Sequence, residues 1–157
     1  FFVADQSSAP ETVHSPATMA KATCHLLGLG DGSKVRGIVN FTQKTEDTPT
    51  LIEGQITGLA PGAHGISVQI FGDLSQGFAS MGGHFNPFGR NHGEPGDEER
   101  HVGSLGNITA DVEGNAKFQI EDKLVKLIGP YVRKSPHNIF VYWCNNMTTS
   151  VCKMLLR

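Results

Sequence analysis

Residues 35–43 read VRGIVNFTQ, and their side chains alternate: Val35, Gly37, Val39 and Phe41 against Arg36, Ile38, Asn40 and Thr42. A period of two sets these groups on opposite faces of an extended strand, with Asn40 on the solvent side. Segments of similar length recur on both sides. Upstream, KATCHLLG (21–28) runs into the turn Gly30-Asp31-Gly32-Ser33. Downstream come TLIEGQITG (50–58), the turn Pro61-Gly62, HGISVQIFG (64–72) and SLGNITAD (104–111). Then follow the turn Glu113-Gly114-Asn115, AKFQIED (116–122), NIFVYWC (138–144) and SVCKMLLR (150–157). Short apolar segments divided by turn signals predict an all-β fold, a sandwich or a barrel.

The 157 residues fit a single domain with one core. Residues 1–19, rich in Ser, Pro, Thr and Ala, read as an N-terminal extension, and residues 20–157 as the β domain. A net charge of −2 without a Lys/Arg cluster predicts no nucleic-acid partner. The apolar runs fall well short of the roughly 20 residues that cross a bilayer, so no membrane partner is expected. Three Asn-x-Thr triplets, at Asn40, Asn107 and Asn146, and a start at Phe1 rather than Met point to a processed, secreted and glycosylated chain. Cys24, Cys144 and Cys152 permit one disulfide and leave one thiol.

One stretch breaks the rhythm. Residues 71–103 show neither strand nor helix period, and a loop that long inside a compact domain needs something to order it. It contains His84, His92 and His101, spaced H-x7-H-x8-H, and a metal ion is the natural agent. Among the other histidines, His64 is expected to make a buried hydrogen bond, while His14, His25 and His137 read as surface residues.

VRGIVNFTQK, HGISVQIFGD and GGHFNPFGRNHGEPGDEERHVGSLGNITAD together resemble the copper/zinc superoxide dismutases, and the likeness runs through most of residues 21–157. The resemblance implies an eight-stranded Greek-key β-barrel in which one long loop carries zinc ligands and another guides superoxide to copper. Carried over by position, His84, His92 and His101 are implied zinc ligands. Ser104 stands where the family has a zinc-binding aspartate, with Asp97, Glu98 and Glu99 nearby as substitutes. Ser67, Gln69 and Tyr142 stand where three copper histidines belong. Phe78 replaces one cysteine of the family disulfide, which leads to the expectation of a Cys144–Cys152 bridge and an inert Cys24.

With three copper imidazoles replaced by weaker ligands, the resemblance implies a non-catalytic member that binds zinc without copper. It further implies a self-associating, secreted protein similar to the superoxide-dismutase-like haemolymph proteins of bivalves. Two rivals stand beside it. A three-histidine site with an open position allows a dismutase or other redox enzyme using another metal. The chain could also act as a regulatory decoy that pairs with active dismutase subunits.

Overall fold

The computed structural model describes residues 19–28, 33–71, 73, 75–129, 140–145 and 148–156, with the side chains of Phe78 and of residues 140–156 left aside. Eight strands form: β1 Ala20–Gly28, β2 Arg36–Gln43, β3 Thr50–Thr57, β4 Gly62–Gln69, β5 Ser104–Ala110, β6 Ala116–Asp122, β7 Phe140–Asn145 and β8 Thr148–Leu156. Each overlaps a segment predicted from alternation and turns, with ends displaced by at most three residues. No α-helix occurs among the described residues, and the all-β expectation holds.

All the pairings are antiparallel, in the order β5-β4-β7-β8-β1-β2-β3-β6. The two outer strands, β5 and β6, also approach one another, so the sheet curls into a barrel. The pairs β3–β6 and β4–β7 skip intervening strands, which makes the connectivity a Greek key. Inside, Val39 and Phe41 of β2 meet Cys24 and Leu26 of β1, Ile52 and Ile56 of β3, Ile66 and Val68 of β4, and Leu105 and Ile108 of β5. Arg36, Ile38 and Asn40 face outward as alternation requires. Burial of a side chain such as Phe41 or Ile52 contributes roughly 1.5–3 kcal/mol.

The barrel is closed below β3 and β6 by polar anchors. Gln43 donates through Nε2 to the carbonyls of Glu46 and Thr48, and its Oε1 accepts from the N–H groups of Leu127 and Ile128. Thr50 Oγ1 donates to the Val125 carbonyl at 2.7 Å. The segment after β6 thereby inserts Val125 and Leu127 into the core.

The strand register corrects the expected disulfide. Cys144 of β7 lies opposite Thr149 of β8. Cys152 lies three residues further along β8, roughly 10 Å at a strand rise of ~3.4 Å per residue. Bridged Cα atoms sit about 7 Å apart or less, so Cys144 and Cys152 are not placed to join. Nor is Cys24 an inert thiol: it is disulfide-bonded. The side chains of the other two cysteines lie outside the described residues.

Candidate metal centre

The loop between β4 and β5 carries one short 3-10 turn, Gly77–Met81, which the sequence did not announce because one turn leaves no period to detect. Its remaining order comes from backbone contacts with the barrel. Val68 N–H donates to the Gly103 carbonyl, Phe85 N–H to the Val68 carbonyl and Gly103 N–H to the Phe85 carbonyl, each at 2.8 Å. This closed ring ties both ends of the loop to β4. It requires glycine at 103, because a Cβ there would overlap the Val68 carbonyl oxygen. Beside the ring, His84 pairs with Gln69 in an isolated antiparallel bridge, and Ser104 opens β5. The loop's middle is knotted locally: Asn86 bonds both the N–H and the carbonyl of Arg90, and Asp97 accepts from the Glu94 N–H.

These anchors bring the three predicted histidines together. The ring centroids of His84, His92 and His101 lie 5.6–5.7 Å apart. One donor atom from each falls within 4.8 Å of the others, close enough to share one ion. Ser104 Oγ lies 2.9 Å from His84 Nδ1 and 3.4 Å from His92 Nδ1. His101 Nδ1 is buried with no hydrogen-bond partner. A buried orphan nitrogen beside two imidazoles that share one hydroxyl fits a group able to hold a cation. Burial first, then the neighbouring His101 and His92, hold the His84 pKa below its ordinary 6.5. The lowered value favours the neutral imidazole that binds metals.

The acidic residues proposed as a fourth ligand do not join this group. Asp97 is turned to the Glu94 N–H, and Glu98 contributes its carbonyl to Arg90. Ser104 Oγ, at the position the resemblance singled out, is the oxygen that bonds His84 and His92.

Arg100 closes a run of charged residues and is nevertheless buried. Its Nη1 donates to the carbonyls of His101 and Ser104, and its Nη2 pairs with Asp122 Oδ2 at 2.5 Å. The other oxygen of Asp122 accepts from the N–H groups of Leu124 and Val125. One cation thus fastens the His101 end of the loop to the end of β6. Its position directly after Asp97, Glu98 and Glu99 hid this role.

Ser67 and Gln69 lie on the face of β4 opposite the core residues Ile66 and Val68 and are buried, with Gln69 Nε2 donating to Ser67 Oγ at 2.9 Å. The Tyr142 side chain lies outside the described residues. His64 is buried and bonds the Ala60 carbonyl through Nε2 at 2.6 Å, as expected, and His25 is exposed.

A family model described as copper/zinc superoxide dismutase matches residues 35–140. A copper–zinc superoxide dismutase of Pleurocordyceps sinensis is 48% identical over 114 residues, covering 72% of each chain. One from Cordyceps militaris is 50% identical over 114 residues with the same coverage, and one from Talaromyces marneffei 51% over 112 residues, or 71% of each. These relatives bear an enzyme's name, which overturns the expectation of a non-catalytic chain. The absence of copper, expected from the same three positions, gains no support either. Counting replaced ligands at 67, 69 and 142 treated one part of the site as the whole. Three gathered imidazoles constitute a metal-binding group without those positions.

Proposed function

Because this chain belongs to the copper/zinc superoxide dismutase family, we propose that it is a metal-dependent superoxide dismutase whose metal is held by His84, His92 and His101. The observation that carries this is the convergence of three donor atoms within 4.8 Å on a loop pinned to the barrel. Imidazole donors suit zinc, copper and iron alike. A redox-active ion there would supply the one-electron exchange that turns two superoxide ions and two protons into dioxygen and hydrogen peroxide.

The chain's own residues prepare the site. Arg100 fixes the backbone on which His101 and Ser104 sit. Ser104 Oγ–H lies between His84 and His92 and can hold a proton at either Nδ1 when no ion is bound. Beside His84 and His92 opens a pocket of about 200 Å³, also lined by Gly65, Ser67, Gly93 and Gly106.

An extracellular setting is part of the proposal. It is supported by the disulfide at Cys24, since disulfides persist in oxidising compartments, and by the exposed Asn40 of one triplet. The deciding experiment is elemental analysis of the native protein for copper, zinc, manganese and iron, followed by a superoxide assay. A redox-active metal and an activity lost in His92→Ala are expected. Zinc alone, with no dismutation, would overturn the enzymatic proposal and leave a zinc site.

A further inference from the structure

Away from the metal loop, the outer face of β2, β3 and β6 holds a groove of about 590 Å³. Strand register lays out its lining as two rows. Asn40, Glu53 and Gln119 form one, and Ile38, Gln55 and Lys117 the other. Side chains two apart on a strand stand about 7 Å from one another, so the rows flank a trough that crosses three strands. All six side chains are exposed, Ile38 by 45%. Among the described residues, no hydrogen bond or ion pair engages the side chains of Glu53, Gln55, Lys117 or Gln119. Asn40 stands at the β2 end of the trough and opens the triplet Asn40-Phe41-Thr42. Its Oδ1 accepts from Thr23 Oγ1 of β1 at 3.0 Å, which turns Nδ2 away from β1. Once Nδ2 is substituted, Oδ1 alone can meet the Thr23 hydroxyl, so a linkage at Nδ2 keeps this orientation. The other triplets offer no such place. Asn107 lines the pocket beside His84 and His92, where a sugar would crowd the metal centre, and Asn146 lies outside the described residues.

We infer that Asn40 is an N-glycosylation site whose first sugars lie along this trough towards β6. The inference rests on the extracellular setting proposed above. In the modification, Nδ2 attacks C1 of an oligosaccharide carried on a polyprenyl diphosphate. An N–C bond forms, the C–O bond to the diphosphate breaks, Nδ2 gives up one proton and no electron is exchanged. The trough matches an N-acetylhexosamine in three ways. Gln55 and Gln119 both donate and accept, Glu53 accepts and Lys117 donates, as the hydroxyls and acetamide of such a sugar require. Ile38 offers the apolar contact that one face of a pyranose ring covers. The groove has room for about 20 waters at ~30 Å³ each, enough for one or two sugar rings.

For the test, the full chain is secreted from yeast behind a cleavable leader, and the native protein is mapped beside it. Peptide mapping of the secreted chain should find a glycan on Asn40, trimmed to one N-acetylglucosamine by endoglycosidase H. Thr42→Ala should remove it and Thr42→Ser should retain it. Transfer takes place on the extended chain before β2 pairs, so a variant that then misfolds is still read. An unmodified Asn40 in the secreted wild type would overturn the site. If the secreted chain carries the glycan and the native protein does not, the extracellular setting fails and the site stands. Docking is read by nuclear magnetic resonance on the trimmed, isotopically labelled protein. The N-acetyl methyl group should show Overhauser contacts to Ile38, and the Gln55 and Gln119 side-chain amides should shift relative to Asn40→Gln. Ile38→Thr, a change on the solvent face, should speed endoglycosidase release about threefold or more. Absent contacts, with release unchanged in Ile38→Thr, would overturn the docking and leave a glycan that projects into solvent.

Discussion

The barrel half built from β1, β2, β3 and β6 and the loop from 71 to 103 are held together by different physics. In the first, alternation alone decides which side chains are buried, and Val39, Phe41, Ile52 and Ile56 need only be apolar and of suitable size. In the second, hardly any position is interchangeable. Gly103 must lack a Cβ, Arg100 must reach two carbonyls and Asp122, and three imidazoles must face one another. A repetitive pattern survives single errors in reading, whereas a network of individual contacts is legible only once it is folded.

If this contrast is right, the largest effect should come from the barrel. Phe41→Ala empties a fully buried position and should cost about 3–5 kcal/mol of unfolding free energy. Denaturant unfolding should show that loss equally with and without added metal. A cost that depended on metal would mean that core and loop are not separable.

Arg100→Ala should come next, at about 3 kcal/mol, because it leaves Asp122 buried without its cation. Here the loss should be coupled to the site: metal content of the purified variant should fall along with its melting temperature. Normal metal uptake would show that the Arg100 contacts do not position His101 and Ser104.

The same contrast explains what was legible beforehand. All eight strands, the outward Asn40 and the buried bond of His64 followed from period, turn residues and the resemblance. The three histidines could be named because spacing within an otherwise patternless loop drew attention to them. Register was not legible. Cys144 and Cys152 sit close in sequence across a turn, yet the pairing of Cys144 with Thr149 carries them apart. The burial of Arg100 was hidden because its partner Asp122 is distant in sequence. The non-catalytic expectation failed for a related reason. It summed replacements one position at a time, while the metal-binding capacity lies in the joint placement of His84, His92 and His101.

Removing the ion should have a smaller effect than either substitution, and a local one. An ion present at a hundred times its Kd stabilises the folded state by about 2.7 kcal/mol through mass action. Chelation should lower the melting temperature accordingly and speed amide exchange around residues 84–101 while leaving β2 and β3 protected. His92→Ala should make the protein indifferent to the chelator. Uniformly faster exchange across the barrel would contradict the division between the two regions.

The smallest effect tests a polar turn that needs no ion. Between β5 and β6, Asp111 Oδ1 accepts from the N–H groups of Glu113 and Asn115 at 2.9 and 2.8 Å. The Asn115 backbone bond is the main cause holding the Asp111 pKa below its ordinary 3.8. A depressed carboxylate contributes stability that is present above the ordinary pKa and lost as pH falls through the lower folded value. Asp111→Asn keeps an acceptor oxygen but removes the charge, so the variant should melt slightly below the wild type at about pH 6 and converge with it as pH falls through the lowered folded value. A constant gap across that range would mean that turn geometry, rather than carboxylate charge, supplies the contribution. The turn would then belong with the pattern-specified half of the molecule, and individually placed polar contacts would be confined to the metal loop and its anchors.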